Sequence, residues 1–390
     1  MSSYRLCEIF DLQMGKTPSR DNPNYWNDGM HPWVSIADMS TFGKYVGLTK
    51  ECITESGVIE SGIKKAPANT VIMSFKLSLG KVAITVDPTY TNEAIMAFVD
   101  NGVVDIRPDY LYYLFLSKDW NSGINKAVMG VTLNKATLSE YRIEIPDLTE
   151  QETVIHVMDH LSELLALRKD QLVKIDLMVK SRFVEMFGDP VTNPMGWEDI
   201  ELHYIAGIVS GITKGRKPKS PDLTEVSYMA VSNVKAGYID LTNIKSIMAT
   251  QDEIELYRLF PGDVLMTEGG DPDKLGRGAI IHEPPQNCIH QNHVFRVRLK
   301  GERIATVFFA EYLQHDRAKQ YFLRCAKQTT GIASINMTQL KAMPVFLPPL
   351  VLQRRFAAFV AQADKSKFEI QQSLDKLELQ YNALMQKYFD

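Results

Sequence analysis

The chain has 390 residues, 45% of them hydrophobic and 23% charged, the composition of an ordinary soluble globular protein of about two domains. No apolar run is long enough to span a bilayer, MSSYRLCEIF lacks the pattern of a secretory leader, and Cys7, Cys52, Cys288 and Cys325 stand singly. A cytoplasmic location without membrane association is therefore expected, with reduced thiols and neither a disulfide framework nor a zinc ribbon, while the formal net charge of -4 gives no global signature of polyanion binding.

Residues 1–147 carry 14 basic and 17 acidic side chains, so any anion contact must be local. Their opening apolar positions, Leu6, Ile9 and Leu12, lead to Gly15 and a loop bearing Lys16, Thr17, Ser19 and Arg20. Apolar runs at Val71–Phe75 and Val82–Val86 predict strands, with Lys76 and Lys81 on the connection. The aromatic stretch Tyr110–Leu116 predicts a helix, and a glycine loop with Thr132, Asn134 and Lys135 opens GVTLNKATLSEYRIEIPDLTEQE at Gly130–Glu152.

Residues 148–189 then space apolar side chains alternately by four and three, at Val154, Met158, Leu161, Leu165, Leu172, Ile175, Val179 and Met186, with Arg168 and Arg182 as polar exceptions. That is the seam of a coiled coil. Without an internal Gly or Pro, the helix should run for roughly 35 to 40 residues, or about 50 to 60 Å, and stop at Gly188-Asp189-Pro190.

Residues 190–347 restart the plan. Residues 190–350 hold 18 basic and 17 acidic side chains, again without a basic block. Leu202, Ile205, Ile208 and Gly211 repeat the spacing of Leu6, Ile9, Leu12 and Gly15, and the loop GITKGRKPKS offers Lys214, Arg216, Lys217 and Lys219 with no acid among them. Strands are predicted at Val264–Met266 and Val294–Val297, with Lys274 and Arg277 on a loop between them, and a helix at Val307–Leu313. Gln328, Thr329 and Asn336 belong to a second glycine loop, which opens GIASINMTQLKAMPVFLPPLVLQRR at Gly331–Arg355.

The two glycine segments align at an offset of 202 after one inserted residue, matching Asn134 with Asn336, Leu138 with Leu340, Pro146 with Pro348, Leu148 with Leu350 and Gln151 with Gln353. The register continues from Leu172 to Leu374, Ile175 to Leu377 and Phe187 to Phe389. Residues 348–390 keep the seam at Phe356, Val360, Ala363, Ile370, Leu374, Leu377, Tyr381, Leu384 and Tyr388, with Lys367 polar. Equal length and shared register predict that the helices pair with each other, antiparallel because a whole domain separates them. The expected fold class is α+β: two pseudo-repeated globular domains, 1–147 and 190–347, separated by two long antiparallel coiled-coil helices, 148–189 and 348–390.

Catalytic signatures are absent. Asn22-Pro23-Asn24-Tyr25 and Asp87-Pro88-Thr89-Tyr90 approach the motif of an amino-methyltransferase but lack its second proline, and both read as turns. No GxxxxGK[ST] phosphate loop is present. His156 and His160 share a helix face outside the seam, where solvent-facing side chains are expected, and His290 and His293 are likewise read as non-ligands, so no metal site is expected.

The loop GKTPSRDNPNYWNDGMHPWVSIADM at Gly15–Met39, IPDLTEQE at Ile145–Glu152, the junction FGDPVTNPMGW at Phe187–Trp197 and LPPLVLQRR at Leu347–Arg355 resemble, in order, duplication and spacing, the specificity subunit of a type I restriction-modification system. The resemblance implies two target-recognition domains, each reading one half of a split, asymmetric sequence in double-stranded DNA. It also implies that the paired helices hold the halves apart and dock two methyltransferase subunits, which restriction and translocase subunits join. On that basis the chain is not an enzyme and binds no cofactor itself, with S-adenosylmethionine, ATP and Mg on the partners. The DNA-contacting candidates, chosen by position in the loops, are Lys16, Thr17, Ser19, Arg20, Lys76, Lys81, Thr132, Asn134 and Lys135 in the first domain, and Lys214, Arg216, Lys217, Lys219, Lys274, Arg277, Gln328, Thr329 and Asn336 in the second. Each is also readable as an exposed loop residue, and Asn134 and Asn336 as turn or cap residues. Alternative readings are a structural coiled-coil scaffold that binds protein, or a degenerate DNA methyltransferase.

Overall fold

A computed structural model describes residues 2–76, 78–120, 133–217, 221–270, 275–329 and 332–389. The two longest elements are helices, Leu148–Phe187 and Leu350–Phe389, each of 40 residues. Every seam position named from the sequence is buried or half-buried, whereas the residues between are mostly exposed. The polar seam positions are accommodated by partners: Lys367 pairs with Asp176 at 2.6 Å, and Arg182 pairs with Glu185 at 2.8 Å and lies 5.7 Å over the Phe359 ring. The central helix stops where Gly188, at φ 79°, takes the left-handed conformation and donates to the Val184 carbonyl at 2.8 Å.

The chain divides into two compact units, Met1–Lys169 with Gln372–Asp390, and Asp170–Gln371, so each unit takes half of each long helix. In the first unit Lys169 pairs with Glu378 at 3.3 Å, and Val154 and Met158 share a core with Met385 and Phe389. In the second, Phe183 and Phe187 pack on Phe356, with ring centroids 5.4 and 5.6 Å apart. In both, earlier residues of one helix meet later residues of the other, so the helices run antiparallel.

The globular parts repeat one topology. The first has a four-stranded antiparallel sheet in the order Phe10–Met14, Ile95–Asp100, Val71–Ser74, Val82–Ile84. The second repeats it as Ala206–Ser210, Val294–Leu299, Asp263–Thr267, Gly278–Ile281. Beside it lies a mixed three-stranded sheet, Glu51–Ile53, His31–Val34, Tyr90–Thr91, matched by Lys245–Ala249, Thr224–Met229, Ile289–His290. The ends of each domain are clipped together by an antiparallel pair, Ser2–Arg5 with Arg142–Ile145 and Glu198–Glu201 with Pro344–Leu347. The predicted strands and the helices Pro108–Ser117 and Thr306–Tyr312 are all present, shifted by a residue or two at their ends.

Gln151 and Gln353, matched in the sequence, do the same work at the two helix starts. Each is fully buried. Gln151 donates to the carbonyls of Asp105 and Pro146, both at 3.0 Å, and accepts from the Arg107 N–H at 2.9 Å. Gln353 donates to Arg303 at 3.1 Å and Pro348 at 2.8 Å, and accepts from the Ala305 N–H at 2.8 Å. A carboxamide suits this place because it is both donor and acceptor and satisfies backbone groups that burial would otherwise strand.

Candidate nucleic-acid interface

In the first unit the chain leaves the strand Phe10–Met14 at Gly15, whose N–H donates to the Ile95 carbonyl at 3.0 Å, while that of Lys16 donates to Thr91 at 2.8 Å. A Cβ on Gly15 would lie 2.2 Å from the Thr91 oxygen and 2.3 Å from that of Asn92, so the approach needs glycine. In the second unit the Ile212 N–H donates to His290 at 2.8 Å, and a Cβ on Gly211 would lie 1.9 Å from that same oxygen. The strand connections reach the same place: Phe75 donates to Ala94, and Glu268 to His293, each at 3.0 Å. The second unit adds its later glycine loop, since Ile335 donates to Glu268 at 2.9 Å and Gly269–Gly270 pairs with Ile332–Ser334. Loops far apart in sequence therefore converge on Thr91–Ala94 in one unit and on His290–His293 in the other.

Of the predicted contact residues, Lys16, Ser19, Arg20, Lys76, Asn134, Lys135, Lys214, Lys217 and Asn336 are exposed. Thr17, Lys81, Arg216 and Arg277 are half-buried. Thr132, Lys219 and Lys274 lie outside the described residues, as do the side chains of Gln328 and Thr329, whose backbone forms the strand Lys327–Thr329.

Several of these side chains already have work inside the fold. Arg20 forms a two-pronged pair with Glu51 at 2.6 and 3.0 Å and lies 3.7 Å over the Trp26 ring. Arg216, at the same distance beyond its glycine, holds Glu253 at 2.7 and 2.5 Å and the Met248 carbonyl at 3.0 Å. Both arginines brace the glycine loop rather than offering an unpaired guanidinium. Lys81 donates to Ser40, Lys16 to the Ser61 carbonyl, and Lys76 lies 5.4 Å over the Phe75 ring. Asn134 and Asn336 are helix caps, accepting from Thr137 N–H at 3.0 Å and Gln339 N–H at 2.9 Å, as their alternative reading held. Lys135 shares a hollow of about 440 Å³ with Lys64, Asp11 and Gln13, so Lys64 is a nearby cation that position in the loops did not select.

The Arg216 guanidinium holds the Glu253 carboxyl down to about 2 from an ordinary 4.5. A depressed carboxylate stabilises the fold above its unfolded value and loses that contribution as pH falls through its folded value. Arg216→Gln is therefore expected to cost about 2 kcal/mol at neutral pH. That difference should shrink as pH falls below about 4.5 towards 2, which urea titrations of both proteins across this range would measure.

The convergence loops themselves carry polar side chains that spacing did not single out. In the first unit Asn92 Nδ2 donates to Thr17 Oγ1 at 3.0 Å, and the Thr17 hydroxyl donates to the exposed Glu93 carboxylate. In the second, His293 Nδ1 faces Glu268 at 2.5 Å and Nε2 faces the Asn292 amide at 3.3 Å, with Gln291 alongside and half-buried. The only signal for them in the sequence is a short polar run, TNE or QNH, entering an apolar strand. His290 next to them is a core residue, fully buried with Nδ1 2.7 Å from the Val294 carbonyl, and burial holds it down to about 4. His156 and His160 face solvent as expected, and among the described residues no three His, Cys, Asp or Glu are grouped to hold a metal. Among those residues no helix is long and apolar enough to cross a membrane. Pro23–Tyr25 is a turn of 3-10 helix whose cap Asn22 accepts from the Asn24 N–H at 3.2 Å.

Comparison with known proteins agrees with this duplicated plan. The sequence profile described as the type I restriction modification DNA specificity domain matches twice, over residues 1–177 and 194–379. The type I restriction enzyme MjaIX specificity subunit of Methanocaldococcus jannaschii is 23% identical over 389 residues, covering 91% of this chain and 85% of that protein. The EcoKI specificity subunit of Escherichia coli is 21% identical over 300 residues, covering 72% and 64%. Among solved structures, the fold is shared with a chain from a study of complex assembly and conformational transition of the type I R-M system, at a TM-score of 0.62 and 16% identity, covering 100% of this chain and 97% of that one. It is shared also with the type I restriction-modification S subunit from M. genitalium, at a TM-score of 0.55 and 14% identity, covering 100% and 96%.

Proposed function

Because the chain belongs to the type I restriction-modification DNA specificity family, we propose that it reads a split, asymmetric target in double-stranded DNA, one half-site per unit, and carries no catalytic centre of its own. The observation that carries this reading is the repeated frame of glycine loop, strand connection and polar loop, built on one topology in both units but furnished with different side chains. One frame with two sets of polar groups suits two different half-sites. Exposed lysines such as Lys16, Lys76, Lys214 and Lys217 serve phosphates, which position the protein without specifying sequence.

The long helices set the spacing between half-sites and dock two methyltransferase subunits, to which restriction and translocase subunits are added. S-adenosylmethionine, ATP and Mg belong to those partners, and the assembly works in the cytoplasm. Supplied alone with S-adenosylmethionine and DNA, the purified chain is expected to transfer no methyl group. Methylation by the chain without a partner would overturn the reading.

Helix length gives a second test. Seven residues added near Leu165 and at its counterpart Lys367 lengthen each helix by about two turns, or about 10 Å. The unspecified spacer should then grow by about three base pairs at 3.4 Å each, with both half-site sequences unchanged. Mapping methylated bases in cells that carry the lengthened chain measures this, and altered half-site sequences would contradict the division of labour.

A further inference from the structure

The loops on which each unit converges share most of their backbone hydrogen bonds but not their side chains. Asn92 and Gln291 are equivalent, since their N–H groups donate to Val34 and Met229 at the ends of matching strands, each at 2.9 Å. The Ile95 N–H donates to Asn92 at 3.0 Å and the Val294 N–H to Gln291 at 2.9 Å, closing the same turn twice. Glu93 thus stands where Asn292 stands, and Ala94 where His293 stands. Backbone bonds from the glycine loop and from the strand connection fix the turn from two sides. Side chains on so constrained a backbone are held in register, as reading base edges requires.

We propose that these turns are the base-reading elements of the two units, with Glu93 the principal reader in the first, and Gln291 with the His293–Glu268 pair in the second; this rests on the DNA-reading function proposed above. The chemistry differs in a definite way. Asn92 donates to Thr17 and Thr17 donates to Glu93, so the Glu93 carboxylate is oriented as an acceptor. A carboxylate beside DNA tolerates the surrounding phosphates only where it meets a base donor, the amino group of cytosine or adenine in the major groove. Arg20, paired with Glu51, also interacts with Glu93 through its charge and so offsets part of it. Gln291 offers both a donor and an acceptor, the pattern that matches the adenine edge. With Nε2 of His293 accepting from Asn292, its Nδ1–H donates to Glu268, which fixes the ring's orientation.

The test uses the whole chain assembled with its partner subunits in cells, with methylated bases mapped genome-wide and assembly followed by co-purification. Glu93→Gln keeps shape and removes the charge. It is expected to lower modification of the native target about ten- to a hundredfold and to change the preferred base at one position of one half-site, leaving the other half-site as it was. Gln291→Ala combined with His293→Ala should alter only the opposite half-site. Lys16→Ala should weaken modification without changing either sequence. Assembled Glu93→Gln complexes that keep the native sequence at native efficiency, or that lose preference at both half-sites together, would overturn the proposal. If the unaltered complex itself showed no split target, the DNA-reading function would fall first, and the two failures are thereby told apart.

Discussion

Gly211→Ala is expected to disable the second unit's half-site while leaving the first intact. The added Cβ would stand 1.9 Å from the His290 oxygen and 2.7 Å from that of Gln291, both backbone atoms tied into neighbouring strands. Neither can retreat without breaking the bond that Ile212 makes to His290. A steric insertion of this kind costs about 3 kcal/mol, which for a unit of this size lowers its melting temperature by about 6 to 12 °C. Gly207 provides the control: its Cβ would meet only the Arg298 oxygen, at 3.9 Å, so Gly207→Ala should be nearly silent. Thermal melting of both variants, with mapping of the half-sites modified in cells where each is assembled with its partner subunits, gives the comparison.

Gln353→Leu should be among the most damaging single changes in the chain. Leucine fills the same space but abandons the Ala305 N–H and the carbonyls of Arg303 and Pro348 where water does not reach Gln353. Each stranded group costs about 1 to 3 kcal/mol, and the loss should total about 3 to 5 kcal/mol. Gln151→Leu is expected to do the same in the first unit, through Asp105, Pro146 and Arg107. Gln362→Leu, on the exposed side of the same C-terminal helix, should be near neutral. Urea unfolding of the three variants checks the ranking.

The parts of the fold that are local in sequence are legible there. The seam of each long helix is a rule about neighbours three and four apart, and every position it names is at least half-buried. Phe183 escapes the rule because it packs sideways on Phe308, 5.4 Å away, and Phe346, 6.3 Å away, belonging to the domain as much as to the coiled coil. The matched glutamines announce themselves as a repeat, but why a glutamine stands there depends on carbonyls some 50 residues upstream.

The interface was legible only as a set of loops. Charge and position select Arg20 and Arg216, yet their carboxylate partners lie 31 and 37 residues away, and the pairing turns candidate phosphate contacts into braces. Conversely Glu93 draws no attention in a search for basic residues. It is brought beside Thr17 by the pairing of Phe10–Met14 with Ile95–Asp100, a long-range register that composition cannot reveal. Lysine positions a protein on phosphates wherever it is exposed, whereas discrimination between bases calls for acceptors and carboxamides as well.

Mapping methylated bases in cells with and without this chain tests the central claim most directly. The proposed function, with two different readers in one chain, predicts two short, unrelated sequences separated by a fixed unspecified gap, methylated only when the chain and its partner subunits are present together. A single continuous target, a pattern indifferent to the chain, or two identical half-sites in a palindrome would contradict it.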